Sequence, residues 1–142
     1  VPRGDLGPRS ELELAEPAAL TPSAQQLAGD YIAIWNETDP EARMAAIAQV
    51  WADDARYVDP LADVAGHDGI AAVVTGAQAQ FPGWRFRLLG PVDAHHDQLR
   101  FRWELGPEGA DAPVVGSDVA LVDADGRLSL VLGFLDKVPA QV

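Results

Sequence analysis

Apolar residues recur every three to four positions along the first half of the chain and every two along the second. Ala24, Leu27, Ala28, Tyr31, Ile32 and Trp35 fall on one stripe of a helix. Its start is marked by Thr21-Pro22-Ser23, where Pro22 suits a first-turn position and Ser23 with Gln26 has capping-box spacing. Tyr31 therefore points inward. A second helix is predicted after Asp39-Pro40, with Met44, Ile47, Ala48 and Trp51 on its inner face and its end at Asp53-Asp54. The alternating run from Ala55 to Asp59 reads as a short strand cut by Pro60, which cannot donate to a sheet ladder. A third helix follows Gly66-His67-Asp68, turns Ile70, Val73, Val74 and Ala77 inward, and stops before Phe81-Pro82-Gly83.

From Trp84 onward the period is two. Trp84, Phe86 and Leu88 alternate with Arg85 and Arg87, and Leu99, Phe101, Trp103 and Leu105 alternate with Arg100, Arg102 and Glu104. Each strand has one aromatic and one charged face. Residues 114–122 and 128–135, joined by the turn Asp123-Ala124-Asp125-Gly126, are apolar on both faces, so this last hairpin is predicted to be central. Three helices packed on the concave face of a curved antiparallel sheet make an α+β cone enclosing an apolar pocket. One domain is expected over residues 21–138. Residues 1–20, charged and broken by Pro and Gly, read as a tail that can include a cloning remnant, and 139–142 as a second tail.

Composition narrows the partners. Asp and Glu number 22 against 10 Lys and Arg, a net charge of −12, which argues against nucleic acid and against an anionic membrane as binding surfaces. The absence of cysteine excludes disulfides, a thiolate nucleophile and sulfur-ligated metals. No segment is long and apolar enough to span a bilayer, and the first twenty residues lack a secretory apolar run, so the reading is cytoplasmic.

Two carboxylates stand out. Asp118 shares a strand face with Val114, Gly116, Ala120 and Val122. Burial there raises a carboxyl pKa, so that Asp118 can stay protonated and donate a hydrogen bond; the plainer reading is a turn cap or a partner for a cross-strand arginine. Asp59 precedes Pro60 where the chain leaves the sheet, a position often held by a simple turn former. Tyr31 adds a phenol, which in isolation is core packing with one acceptor. Together, an ionised carboxylate, a neutral one and a phenol facing one apolar cavity form a proton-shuttling set.

At these residues the sequence resembles the nuclear transport factor 2-like superfamily, and within it the Δ5-3-ketosteroid isomerases. The resemblance runs in order through Tyr31-Ile32-Ala33-Ile34, Trp51 to Ala55, Val58-Asp59-Pro60, Gly66 to Ile70, Gly90-Pro91, Asp118-Val119 and Asp123 to Arg127, and covers about residues 23–138. It implies Tyr31, Asp59 and Asp118 as catalytic residues. Asp59 would take a proton alpha to a ketone and return it two carbons along, while Tyr31 and neutral Asp118 donate to the enolate oxygen. Phe81 to Trp84 and Trp35-Asn36 look more like the SnoaL-like branch, which includes polyketide cyclases. Leu135 stands where some isomerases carry a tryptophan. Asp59 and Gly133 depart from the residues that limonene-epoxide hydrolases use at those places, which disfavours that chemistry.

Remaining signals are weaker. His67, His95 and His96 read as solvated loop histidines, with no metal expected. Asp123 to Gly126 lacks the remaining ligands of a calcium loop and reads as a hairpin turn. Arg85, Arg87, Arg100 and Arg102 are expected on the outer sheet face, where the superfamily resemblance implies a homodimer contact. The leading expectation is a cofactor-free isomerase acting on a small hydrophobic cyclic ketone. The alternatives are a SnoaL-like polyketide cyclase and a non-catalytic module that binds an apolar ligand or only dimerises.

Overall fold

A computed structural model describes residues 23–139. The predicted tails and the Pro22 position lie outside the described residues, apart from Pro139. Helix α1 (Ala24–Asn36) begins where Ser23 accepts a hydrogen bond from the Gln26 amide. Only half of the capping box forms, because the Gln26 side chain donates to Asp30 instead. The helix buries the predicted stripe from Leu27 onward, plus Ile34. Its last residue, Asn36, fixes it to the sheet: the side-chain amide donates to Phe86 O and accepts from Phe86 N, copying a strand partner.

Helix α2 (Pro40–Val50) is capped by Asp39, whose side chain accepts from the Ala42 amide. It ends earlier than predicted, since Trp51 already opens strand β1 (Trp51–Asp59). Its buried face is Arg43, Ile47 and Val50, whereas Ala48 is exposed. The helical period runs into the strand without a Gly or Pro, so no local signal marked the boundary. A second strand, β2 (Ala62–Ala65), was not predicted; it forms a hairpin with β1 across Pro60-Leu61. Helix α3 (Gly66–Gln80) buries Ile70 and Val74, with Val73 and Ala77 half-buried.

Four strands follow: β3 (Arg85–His95), β4 (Gln98–Gly106), β5 (Val114–Val122) and β6 (Leu128–Lys137). Trp84 stays outside β3 and stacks on Phe81, ring centroids 4.9 Å apart. The six-stranded curved sheet runs β2-β1-β6-β5-β4-β3. The predicted β5–β6 hairpin is central. The sheet is mixed rather than wholly antiparallel, because β1 lies parallel to β6: the chain leaves β1 through β2 and α3 and returns to β1 only with its last strand. A register shift between Leu89 and Asp93, at Gly90 with φ +81°, interrupts the β3–β4 ladder and bends it. Among the described residues, no helix is long and apolar enough to cross a membrane.

Candidate active site

The sheet register brings side chains from distant parts of the chain to one place. Tyr57 and Asp59 share a face of β1 by strand alternation. Asp118 on β5 sits opposite Gly133 on β6, and Val58 and Leu132 are partners in the adjoining parallel pair. Tyr31 arrives from α1, and its hydroxyl donates to Asp118 Oδ2 at 2.7 Å in a buried setting. Tyr57 donates to Asp59 Oδ2 at 2.6 Å, and the Leu61 amide donates to Asp59 Oδ1 at 2.8 Å. The three sequence-predicted residues therefore fall into two phenol–carboxyl pairs, and the second phenol, Tyr57, was missed. Its i, i+2 relation to Asp59 was the available signal.

Glycine separates the pairs. A Cβ at Gly133 would lie 2.8 Å from Asp118 Oδ1, 3.3 Å from Asp59 Cβ and 3.6 Å from the Tyr57 hydroxyl. The glycine thus leaves a notch, too narrow for a methyl group, between Asp118 Oδ1 and the Asp59 side chain. Asp118 is 2% exposed, and Oδ1, the oxygen facing that notch, has no hydrogen-bond partner. Burial pushes the Asp118 carboxyl up to about 6; the Tyr31 hydroxyl opposes the rise, as does the Trp103 indole without completing a bond to Oδ1. The negative charges of Asp59 and Asp136 add to it. Burial, and then the Asp118 charge, raise both the Tyr31 and Tyr57 phenols, so each remains an O–H donor.

The notch opens into a cavity of ≈320 Å³ that Tyr31, Tyr57, Asp59 and Asp118 line together. Its walls are aromatic and aliphatic, with Trp35, Phe86 and Trp103 joined in a chain of ring contacts through Phe86 at 5.3 and 5.5 Å. Gln80 is the other polar side chain on the wall, and no Lys, Arg or His lines it among the described residues. Leu61, Leu135 and Val138 border the cavity yet are exposed, which places its mouth at the end of β6 and the β1–β2 turn.

The other predicted signals separate. His67 is not a solvated loop residue: it sits in the first turn of α3, with Nε2 3.0 Å from Trp51 O and 3.1 Å from Ala52 O. His95 and His96 are exposed beside the β3–β4 turn. Asp123 forms a hairpin turn, its Oδ1 accepting from the Asp125 and Arg127 amides. Among the described residues, no group of three or more His, Asp or Glu is placed to hold a metal ion. Arg100 and Arg102 lie on the face opposite Asp118, paired with Val119 and Ser117 across β4–β5.

The family model described as a SnoaL-like domain matches residues 28–131. The chain belongs to the SnoaL-like family. This SnoaL-like protein is 42% identical to a solved structure from Agrobacterium tumefaciens, provisionally named an isomerase of the SnoaL-like family; the match covers 80% of this chain and 97% of that one, with a TM-score of 0.76. A SnoaL-like protein of unknown function from Burkholderia thailandensis shares the fold at 19% identity, over 79% of this chain and 93% of that one, with a TM-score of 0.62. So does a provisionally named polyketide cyclase from Sinorhizobium meliloti, at 17% identity over 76% and 93%, with a TM-score of 0.60. A search of curated proteins found no match.

Proposed function

We propose that this SnoaL-like protein is a cofactor-free acid/base enzyme of the ketosteroid-isomerase type, moving a proton on a small hydrophobic cyclic ketone. The observation that carries the reading is the unpartnered Asp118 Oδ1, buried beside Gly133 in the wall of an apolar cavity that Asp59 also lines, with Asp59 Cβ on the glycine's other side. A buried polar atom without a partner is costly, and a ligand oxygen bearing or receiving a proton would satisfy it.

In this reading Asp59 is the base. It takes a proton from the carbon alpha to the carbonyl; the C–H electron pair becomes the enolate double bond, and charge moves to oxygen. Asp59 then returns the proton two carbons along, and the enolate collapses to the conjugated ketone. Tyr31 and Asp118 supply the oxygen site. With Asp118 ionised, the pair holds one proton, which its internal bond uses. With Asp118 protonated the pair holds two, and the second is free for the developing oxyanion.

The provisional isomerase name of the Agrobacterium relative supports the enzyme class. A second reading, enolate chemistry closing a polyketide ring, uses the same residues. It is favoured by the open mouth at Leu61, Leu135 and Val138, which leaves room for a ligand longer than the cavity. We read the protein as a cytoplasmic homodimer joined through the outer sheet face, where Phe134 and Leu132 are exposed apolar residues. Incubation with a β,γ-unsaturated steroid ketone should produce conjugated-enone absorbance. Asp59→Asn should lose that turnover and keep ligand binding. Equal activity in the variant overturns the base assignment.

A further inference from the structure

The cavity's electrostatics ask for a second class of ligand, distinct from a ketone. Among the described residues its wall carries two carboxyl groups and no cationic side chain, although Arg85, Arg87, Arg100 and Arg102 crowd the neighbouring strands. Those arginines are spent elsewhere or exposed: Arg87 pairs with Glu104 at 3.2 Å and Arg100 with Asp93 at 3.1 Å. Among the described residues Asp118 thus has no counter-charge, only the Tyr31 hydroxyl on Oδ2 and the nearby Trp103 indole, which completes no bond to Oδ1. Its other oxygen is an acceptor with nothing to accept, nine-tenths and more buried, beside the Gly133 notch. The surrounding rings of Trp35, Tyr57, Phe86 and Trp103 supply π-systems, which attract a cation presented to their faces.

We propose that the cavity also binds hydrophobic amines as their protonated cations, the ammonium N–H bonding Asp118 Oδ1 across the Gly133 notch with Asp59 as the second carboxylate. The ligand class is a compact apolar body with one ammonium group at its leading end. Anionic ligands such as carboxylates and acyl phosphates are excluded, since they would meet two acids and no cation. The chain's net charge of −12 attracts a cation from a distance and repels an anion. This proposal shares the cavity with the ketone reading and none of its chemistry.

A pH signature follows. The titratable groups that act on Asp118 are Tyr31 from α1, Asp59 and Tyr57 from β1, and, from the other sheet face, Asp136 of β6, which accepts a hydrogen bond from Ser117. Both phenols keep their protons, so ionisation of Asp118 governs the site. Asp118, held up at about 6, must lose its proton to pair with ammonium. Amine affinity should therefore rise with pH through about 6 and level off above it, falling by up to about tenfold per unit below.

The test compares 1-aminoadamantane with its neutral isostere 1-adamantanol by calorimetry, on the full chain at pH 5 and pH 8. The amine should bind at least tenfold tighter than the alcohol at pH 8, and that preference should shrink at pH 5. Asp118→Asn should abolish the preference at pH 8 while alcohol binding remains. An amine that binds no better than the alcohol at pH 8, or a preference that is flat with pH, overturns the proposal, and both readouts need only the unmutated protein. A preference that survives intact in a folded Asp118→Asn protein overturns it as well. Absence of steroid turnover bears on the ketone reading alone, because no step of this test involves a reaction.

Discussion

Tyr31 and Asp118 form a pair with one closed and one open end: the phenol donates to Oδ2 over 2.7 Å, and Oδ1, buried beside Gly133 in the cavity wall, has no partner. The pair joins a helix residue to a strand residue 87 positions away, so its geometry depends on how α1 docks. The Asn36 clamp on Phe86 sets that docking. Folding thereby leaves one polar atom unsatisfied at the place where an apolar ligand would end.

If the protonated pair is the donor to an enolate, turnover must decline as Asp118 ionises. A ketone substrate should show kcat/KM falling about tenfold per pH unit above about 6, the value to which burial lifts Asp118. Asp118→Asn, which donates through its amide at every pH, should flatten that limb at a lower rate. A stopped-flow pH series on both proteins measures the difference.

The same shift has a cost in stability. Asp118 titrates near 3.8 when unfolded and near 6 when folded, so the folded state binds more protons between those values and loses stability as pH rises through them. Above about pH 6 the whole penalty, on the order of 3 kcal/mol at most, is present. Asp118→Asn keeps an acceptor for Tyr31 and removes the charge. It should be more stable than the parent at pH 8, with the gap closing toward pH 4, in urea titrations.

Gly133→Ala is expected to separate function from folding. The new Cβ would stand 2.8 Å from Asp118 Oδ1 and 3.3 Å from Asp59 Cβ, filling the notch. Overpacking costs about 1–3 kcal/mol, partly offset by the lower chain entropy of alanine when unfolded. Net stability should change by roughly 1 kcal/mol, while affinity for any ligand that reaches Asp118 falls at least tenfold. Thermal melts alongside a Trp-fluorescence binding titration would read both quantities.

Tyr57→Phe keeps the ring that packs on Trp35 at 5.5 Å and removes the O–H that holds Asp59 Oδ2. Asp59 retains the Leu61 amide but gains freedom to rotate. For the proposed proton transfer, kcat should drop by about tenfold with KM little changed, since positioning and not ligand contact is lost. An unchanged kcat would leave Tyr57 a packing residue only.

Much of this was legible in the chain. Helical and twofold periods located three helices and the β3–β6 meander, because each element buries one regular face. Asp118 could be read as a buried acid because it interrupts an apolar strand. The parallel β1–β6 pair was not legible, since strand direction is set by a long connection and leaves no local mark. Tyr57 left one mark, its i, i+2 relation to Asp59, but its hydroxyl gains a role only from the Asp59 rotamer. The α2–β1 boundary left none, since Trp51 continues the helical stripe at i, i+4 from Ile47 and also shares the odd-numbered strand positions with Ala55 and Tyr57. His67 looked like a loop residue until β1 supplied the carbonyls against which its ring lies.

Arg43 is a buried cation that the helical pattern concealed. It is 6% exposed, and the described contacts give it neutral acceptors: Glu37 O at 3.0 Å, Thr75 Oγ1 at 2.7 Å and Gln78 Oε1 at 2.7 Å. Gln78 in turn donates to Trp35 O and Glu37 O, so one guanidinium ties the end of α1 to α2 and α3. Arg43→Ala strands those acceptors and should cost about 3 kcal/mol or more. Arg43→Lys keeps the charge but not the fork that reaches three partners in different directions, and should recover less than half of the loss. Because Trp35 lines the cavity, loosening its end of α1 should also weaken ligand binding. Denaturant midpoints for the two variants, compared with the Trp-fluorescence affinity of each, would show whether helix anchoring and cavity shape are lost together.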